Sequence, residues 1–244
     1  MENYLDLAVD LLPGLRTSIY MALACLAVGL PLGFLAGMAL NSQQRWLRIV
    51  VVIFVEIFRG FPALLTLYLV YFGLTNFLVV GRFTSVVIAF GLTSAAYAAE
   101  IFRAAIASVP KGQLEAAQSL AFTRVQITTR VIIPHVLNVV VPPIIGIAII
   151  TFQGTALAYA IGARELLGSA YSIGMTDFRV LEPLMVAAAL YLVVTSLLSW
   201  MEILADRRVQ RITGKASRRR SGSARKRLKG KTDDKTSKSP ALAR

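Results

Sequence analysis

Cysteine and histidine are almost missing from this chain of 244 residues, which has one of each, Cys25 and His135. That rules out a disulfide framework, and any zinc site needing several Cys or His ligands from this chain. Charge is scarce too: 16% of residues are charged and 56% hydrophobic, with a mean hydropathy of +0.66. A water-soluble domain carries about a quarter charged residues, so the composition argues against a soluble enzyme. The charge that exists is concentrated at one end. Residues 207–244 hold 15 Lys/Arg and 2 Asp, whereas residues 1–206 hold 11 basic and 11 acidic residues. The pI of about 10.4 therefore belongs to a tail. The composition divides the chain into a neutral, apolar transmembrane domain over 1–206 and a basic cytoplasmic tail over 207–244. The tail is rich in Lys, Arg, Ser, Gly and Thr and is expected to lack fixed structure.

Bilayer hydrocarbon is about 30 Å thick, so a spanning helix needs about 20 mostly apolar residues. Five stretches qualify: 17–40, 49–74, 83–108, 131–152 and 183–204. Between the last two, Gly154, Gly162, Gly168 and Gly174 interrupt any helical run, and a short interfacial or re-entrant piece is expected over 153–182. Five spans place the termini on opposite sides. With the N-terminus outside, the inner side holds 21 Lys/Arg and the outer side four, and without the tail the ratio is six to four. The expected orientation is N-out, C-in. The leader carries Glu2, Asp6 and Asp10 rather than the basic region of a cleavable signal, so the first span is expected to be retained. Gly29, Gly33 and Gly37 form a small-residue stripe suited to close helix approach, and Cys25 reads as a packed thiol.

Charged residues inside spans need protein or water around them. Glu56 and Arg59 lie three apart, on one helix face, and so do Glu100 and Arg103. Both a structural ion pair and a contact along a transport pathway fit the first pair; a structural or coupling role fits the second. Between spans three and four, Ser108, Val109, Pro110, Lys111 and Gly112 form a breaker cluster. The good helix formers from Gln113 to Ala121 follow, and Pro134 opens the next span. Leu114, Ala117, Leu120 and Ala121 recur at helical spacing. A short cytoplasmic helix across the ends of two spans accounts for the segment over 109–130, either as a connector on lipid headgroups or as a docking element.

The residues go further than the periodicity. Glu115, Ala116 and Ala117, three residues, Ala121, nine residues, then Val131, Ile132, Ile133 and Pro134 resemble the EAA signature of ABC importer permeases. That signature reads E-A-A, three residues, G, nine residues, I-x-L-P. Ala121 stands where the family usually has Gly. The run Glu56–Pro62 resembles the E-I-F-R-G-T-P run of polar amino-acid permeases, and Ala99–Arg103 with Ser108–Gln113 resembles a second run of that family. Gln153, Gly154, Thr155, Ala156 and Leu157 align with a stretch usually reading K-D-T-S-L, of which Thr155 and Leu157 match.

This resemblance, over about residues 10–206, implies an all-α integral membrane subunit of the type I ABC importer permease fold in a bacterial inner membrane. Two cytoplasmic ATPase subunits, a second permease copy or paralogue, and an extracytoplasmic amino-acid-binding protein are the implied partners, alongside membrane lipids and without nucleic acid. Pro110, Lys111, Gly112, Glu115, Ala116, Ala117 and Ala121 are the implied ATPase-coupling residues, and Glu56, Arg59, Glu100, Arg103 and Thr155 are candidates along the pathway. No catalytic, cofactor or metal residue is implied. Gly230, Lys231 and Thr232 look like the end of a phosphate loop, but Arg225 occupies the position that requires Gly. The competing readings are an ion-coupled secondary transporter, which usually needs ten or more spans with internal repeats, and a membrane-anchored regulatory or scaffold protein.

Overall fold

The computed structural model describes residues 4–75, 80–176 and 178–237. Its helices are α1 (Tyr4–Leu40), α2 (Arg45–Gly60), α3 (Ala63–Thr75), α4 (Arg82–Ala107), α5 (Lys111–Ser119), α6 (Arg124–Ile127), α7 (Ile133–Gly154), α8 (Leu166–Thr176) and α9 (Leu181–Ser237). A π turn, Thr128–Ile132, joins α6 to α7, and a 3-10 stretch, Thr155–Ile161, follows α7. Four helical runs are long and apolar enough to cross a membrane: Tyr4–Leu40, Arg82–Ala107, Arg124–Ile161 and Leu181–Gln210. A fifth crossing is available if the bent pair α2 and α3 counts as one span.

Three expectations change. Hydropathy predicts one straight span over 49–74, but α2 and the run Ala63–Gly73 meet at 106°. Phe61 is extended (φ −80°, ψ 136°) ahead of Pro62, because proline disfavours a helical residue before it and brings no N–H to continue the ladder. The first described helix runs from Tyr4 rather than from near residue 17 and takes in Asp6 and Asp10, while Glu2 lies outside the described residues. The tail, expected to lack fixed structure, is helical as far as Ser237; Lys, Arg and Ala are good helix formers, and no proline occurs before Pro240.

The chain divides into two compact units, Met1–Glu202 and Ile203–Arg244. At the centre of the first, α1 packs along α4 on its glycine stripe. A Cβ on Gly29 would lie 2.8 Å from the Gly91 carbonyl, one on Gly33 2.5 Å from the Ala98 Cβ, and one on Gly37 2.6 Å from the Phe102 Cβ. Only glycine allows this approach. Ser94 and Thr151, 2.9 Å apart, cross-link α4 to α7 through their hydroxyls, which satisfies two buried polar groups without charge.

Candidate functional site

Two regions carry the polar residues singled out by sequence. The first is the segment between α4 and α7. Pro110, extended (φ −60°, ψ 127°), starts α5, where its missing N–H costs nothing. Lys111, Gly112, Glu115 and Ala116 are exposed on this helix, whereas Ala117 is buried at its base. The helix ends at Ser119 in a Schellman motif: Phe122 donates to the Ala117 carbonyl at 3.1 Å and Ala121 to that of Gln118 at 2.9 Å. The motif puts Ala121 at φ 54°, the left-handed region where glycine is at home. The position at which the family usually has Gly is thus a helix-terminating position. It also separates residues that share a face by spacing, because Leu120 and Ala121 lie past the helix end and Leu120 is 69% exposed.

The chain restarts with a capping box, in which the Gln126 N–H donates to the Thr123 hydroxyl and the Thr123 N–H to the Gln126 side chain. Val125 is 71% exposed, so Leu120 and Val125 flank the turn as an apolar tip. The π turn then widens the helix just before Pro134, whose ring would otherwise meet the carbonyl four residues back. Ser108 and His135, 3.2 Å apart, tie the end of α4 to the start of α7. The result is an exposed helix–turn–helix held by two spans at its base.

The second region is a cavity of 590 Å³ reached by Arg59, Thr93, Tyr97, Glu100, Thr151 and Glu202, with Gly154 and Leu157 on its wall. Three of those side chains are basic or acidic, Arg59, Glu100 and Glu202, within an otherwise largely apolar lining. Arg59 lies over the Tyr97 ring at 5.6 Å, a cation–π contact rather than the i, i+3 ion pair that its spacing to Glu56 predicts. No ion pair to Glu56 forms among the described residues. The second pair does close, with Arg103 donating to Glu100 at 2.6 and 3.1 Å. Thr155 lies beside the cavity but is fully buried, its hydroxyl donating to the Phe152 carbonyl at 2.7 Å, which places it in the transition from α7 to the 3-10 stretch.

Glu165, which carries no sequence signal beyond the breakers around it, is the most connected polar side chain described. It is fully buried. Its carboxylate accepts from the Leu167 N–H at 2.8 Å, the Gly168 N–H at 2.7 Å, the Tyr191 hydroxyl at 2.9 Å and the Ser18 hydroxyl at 3.3 Å. The Ser18 oxygen in turn accepts from the Leu166 N–H at 3.1 Å. One carboxylate thus satisfies the first turn of α8 and joins it to α1 and α9. Burial pushes this carboxyl above the ordinary carboxylate range, against the four donors that pull it down. Gly168 is obligatory beside it, since a Cβ there would strike the Ala163 carbonyl.

Membrane-crossing helices, a glycine-zipped core, a solvent-reaching helix–turn–helix and a largely apolar cavity reached by a few charged groups are the architecture of an integral membrane protein. The chain belongs to the family of binding-protein-dependent transport system inner membrane components, which matches residues 29–211. It is similar to the L-cystine transport system permease protein TcyB of Bacillus subtilis (strain 168), with 34% identity over 204 residues, 83% of this chain and 87% of the relative. It is also similar to the glutamine transport system permease protein GlnP of Escherichia coli (strain K12), at 33% over 203 residues, covering 82% and 93% respectively. Among solved structures, an amino acid ABC transporter crystallised with histidines matches with a TM-score of 0.77 and 30% identity, over 85% of this chain and 99% of that one. This is a permease subunit of the amino-acid ABC importer class.

Proposed function

We propose that this chain lines the translocation pathway for a polar amino acid, paired with a second permease copy or paralogue, served by an extracytoplasmic binding protein and driven by two ATPases, one of which docks on α5. The single observation that carries the reading is the α5 segment: a helix closed at its C-terminal end by a Schellman motif, whose Lys111, Gly112, Glu115 and Ala116 are exposed while Ala117 is buried. A helix fixed at its base and bare at its tip transmits a partner's movement to the spans that hold it. Hydrolysis belongs to the partner in this reading, because the Gly230–Thr232 run lacks the first glycine of a phosphate loop. The cavity supports the substrate class. Arg59 offers a cation for a carboxylate and Glu202 an anion for an ammonium, with the Thr93 and Thr151 hydroxyls between apolar walls. The relatives are named for cystine, glutamine, octopine and arginine, all amino acids or amino-acid conjugates.

Glu115→Lys tests the reading. The side chain is exposed, so the fold and membrane insertion should survive while a reversed charge enters the docking contact. ATP-driven uptake in vesicles and co-purification of the ATPase should both fall at least about tenfold, the effect of about 1.4 kcal/mol. Unchanged uptake with normal co-purification removes Glu115 from the interface.

A further inference from the structure

We propose that residues 207–237 form a cationic helix that binds the anionic phospholipid headgroups of the leaflet at which the last span ends. The family match stops at residue 211, so nearly all of this segment lies outside the shared transport architecture. The segment is helical to Ser237. Its composition makes that helix costly in water. Gly214, Gly222 and Gly230 each weaken a helix interior. Arg207 with Arg211, Arg211 with Lys215, Arg225 with Lys229, and Lys231 with Lys235 set like charges four residues apart, which repel on a helix. A polyanion lifts that repulsion.

The spacing also has a direction. Arg207, Arg211, Lys215, Arg218, Arg225 and Lys229 fall at i, i+4, i+8, i+11, i+18 and i+22, one face of a helix, while Ala205, Val209, Ile212 and Ala216 recur on the opposite face over the first turns and Arg220 and Arg227 occupy that face further on. The crossing helix runs Leu181–Gln210, so the basic face begins in its last turn, and the membrane surface is the polyanion this segment always meets. Each basic residue near an anionic leaflet strengthens binding about fivefold. Six on one face hold the segment firmly at moderate salt and release it when screening shortens the field to about 3 Å near 1 M.

The experiment takes the full-length chain in nanodiscs, so that both membrane faces are accessible, and follows tryptic cleavage within 207–237. In phosphatidylglycerol discs at about 0.1 M salt, cleavage should be at least about tenfold slower than in phosphatidylcholine discs. The difference should vanish near 1 M salt. It should also vanish when Arg207, Arg211, Lys215, Arg218, Arg225 and Lys229 are all replaced by Gln, which leaves other tryptic sites in place. Equal cleavage in the two lipids at low salt overturns the proposal. So does protection that appears only when duplex RNA is added, which assigns the segment to nucleic acid. Cleavage is read without transport, so this result stands apart from the uptake and co-purification assays of Glu115→Lys.

Discussion

Removing the buried carboxylate gives the sharpest test of how α8 is held to α1 and α9. Glu165→Ala strips the acceptor from the Leu167 and Gly168 N–H groups and from the Tyr191 hydroxyl. Each buried donor left unpaired costs about 1–3 kcal/mol. The loss is offset in part because the variant no longer holds a charge in a buried site, the same burial that raises the carboxyl's pKa. A net loss of about 3 kcal/mol follows, at the lower end of what breaking a buried charged network costs. In a chain of this size that lowers the melting temperature of the detergent-solubilised protein by about 6–12 °C. Tyr191→Phe removes one hydrogen bond to a charged acceptor and should cost about 1.5 kcal/mol. If Glu165→Ala melts within about 1 kcal/mol of wild type, or Tyr191→Phe is as damaging as Glu165→Ala, the carboxylate is not the hub joining α8 to α1 and α9.

The same residue sets a pH trend. A carboxyl whose pKa is raised in the folded state adds stability at acid pH and loses it as pH rises through that folded pKa; the stability of wild type relative to Glu165→Gln, followed by melting across the acid range, should therefore decline as pH rises. Ala121→Gly relieves a left-handed alanine worth about 1–2 kcal/mol, less about 0.4–1 kcal/mol of added unfolded-state freedom. Amide exchange at Leu120–Phe122 should slow slightly with uptake intact, and faster exchange would contradict the Schellman assignment. Glu56→Ala and Arg59→Ala should add within about 0.5 kcal/mol in a double-mutant melting cycle, because Arg59 engages Tyr97; a coupling well above that restores the ion pair.

The parts of this fold written in local chemistry were legible. Four crossing helices follow from apolar runs, and the glycine stripe of α1 announces a close approach whose partner, the Ala98 and Phe102 side of α4, only the fold reveals. The short helix between α4 and α7 was readable because breakers, helix formers and Pro134 sit in a fixed order. Its turn was less so: Ala121 looks like one more small helical residue until the Schellman bonds show a left-handed corner. Glu56 and Arg59 misled for the converse reason. Helical spacing brings two side chains within reach, but an aromatic face on a neighbouring helix competes for the cation, and Tyr97 lies about forty residues away in sequence. Glu165 was illegible because all its partners except the α8 amides are distant; Ser18 lies 147 residues away. The bend at Phe61 was available from Pro62, yet uninterrupted hydropathy on both sides hides it.

The α1–α4 seam has a mechanical meaning for any transporting movement. Glycine has no side chain to rearrange, so Gly29, Gly33 and Gly37 set α1 directly on the backbone and Cβ atoms of α4 between Gly91 and Arg103, where contact does not depend on a rotamer of α1. Sliding by one residue would drive a Cβ into backbone, and separation would forfeit every contact at once. These two helices therefore travel together as a single stiff column. Alternation between two faces must be produced by elements joined to that column through corners: the bent α2–α3 pair, and α9 where Tyr191 meets Glu165.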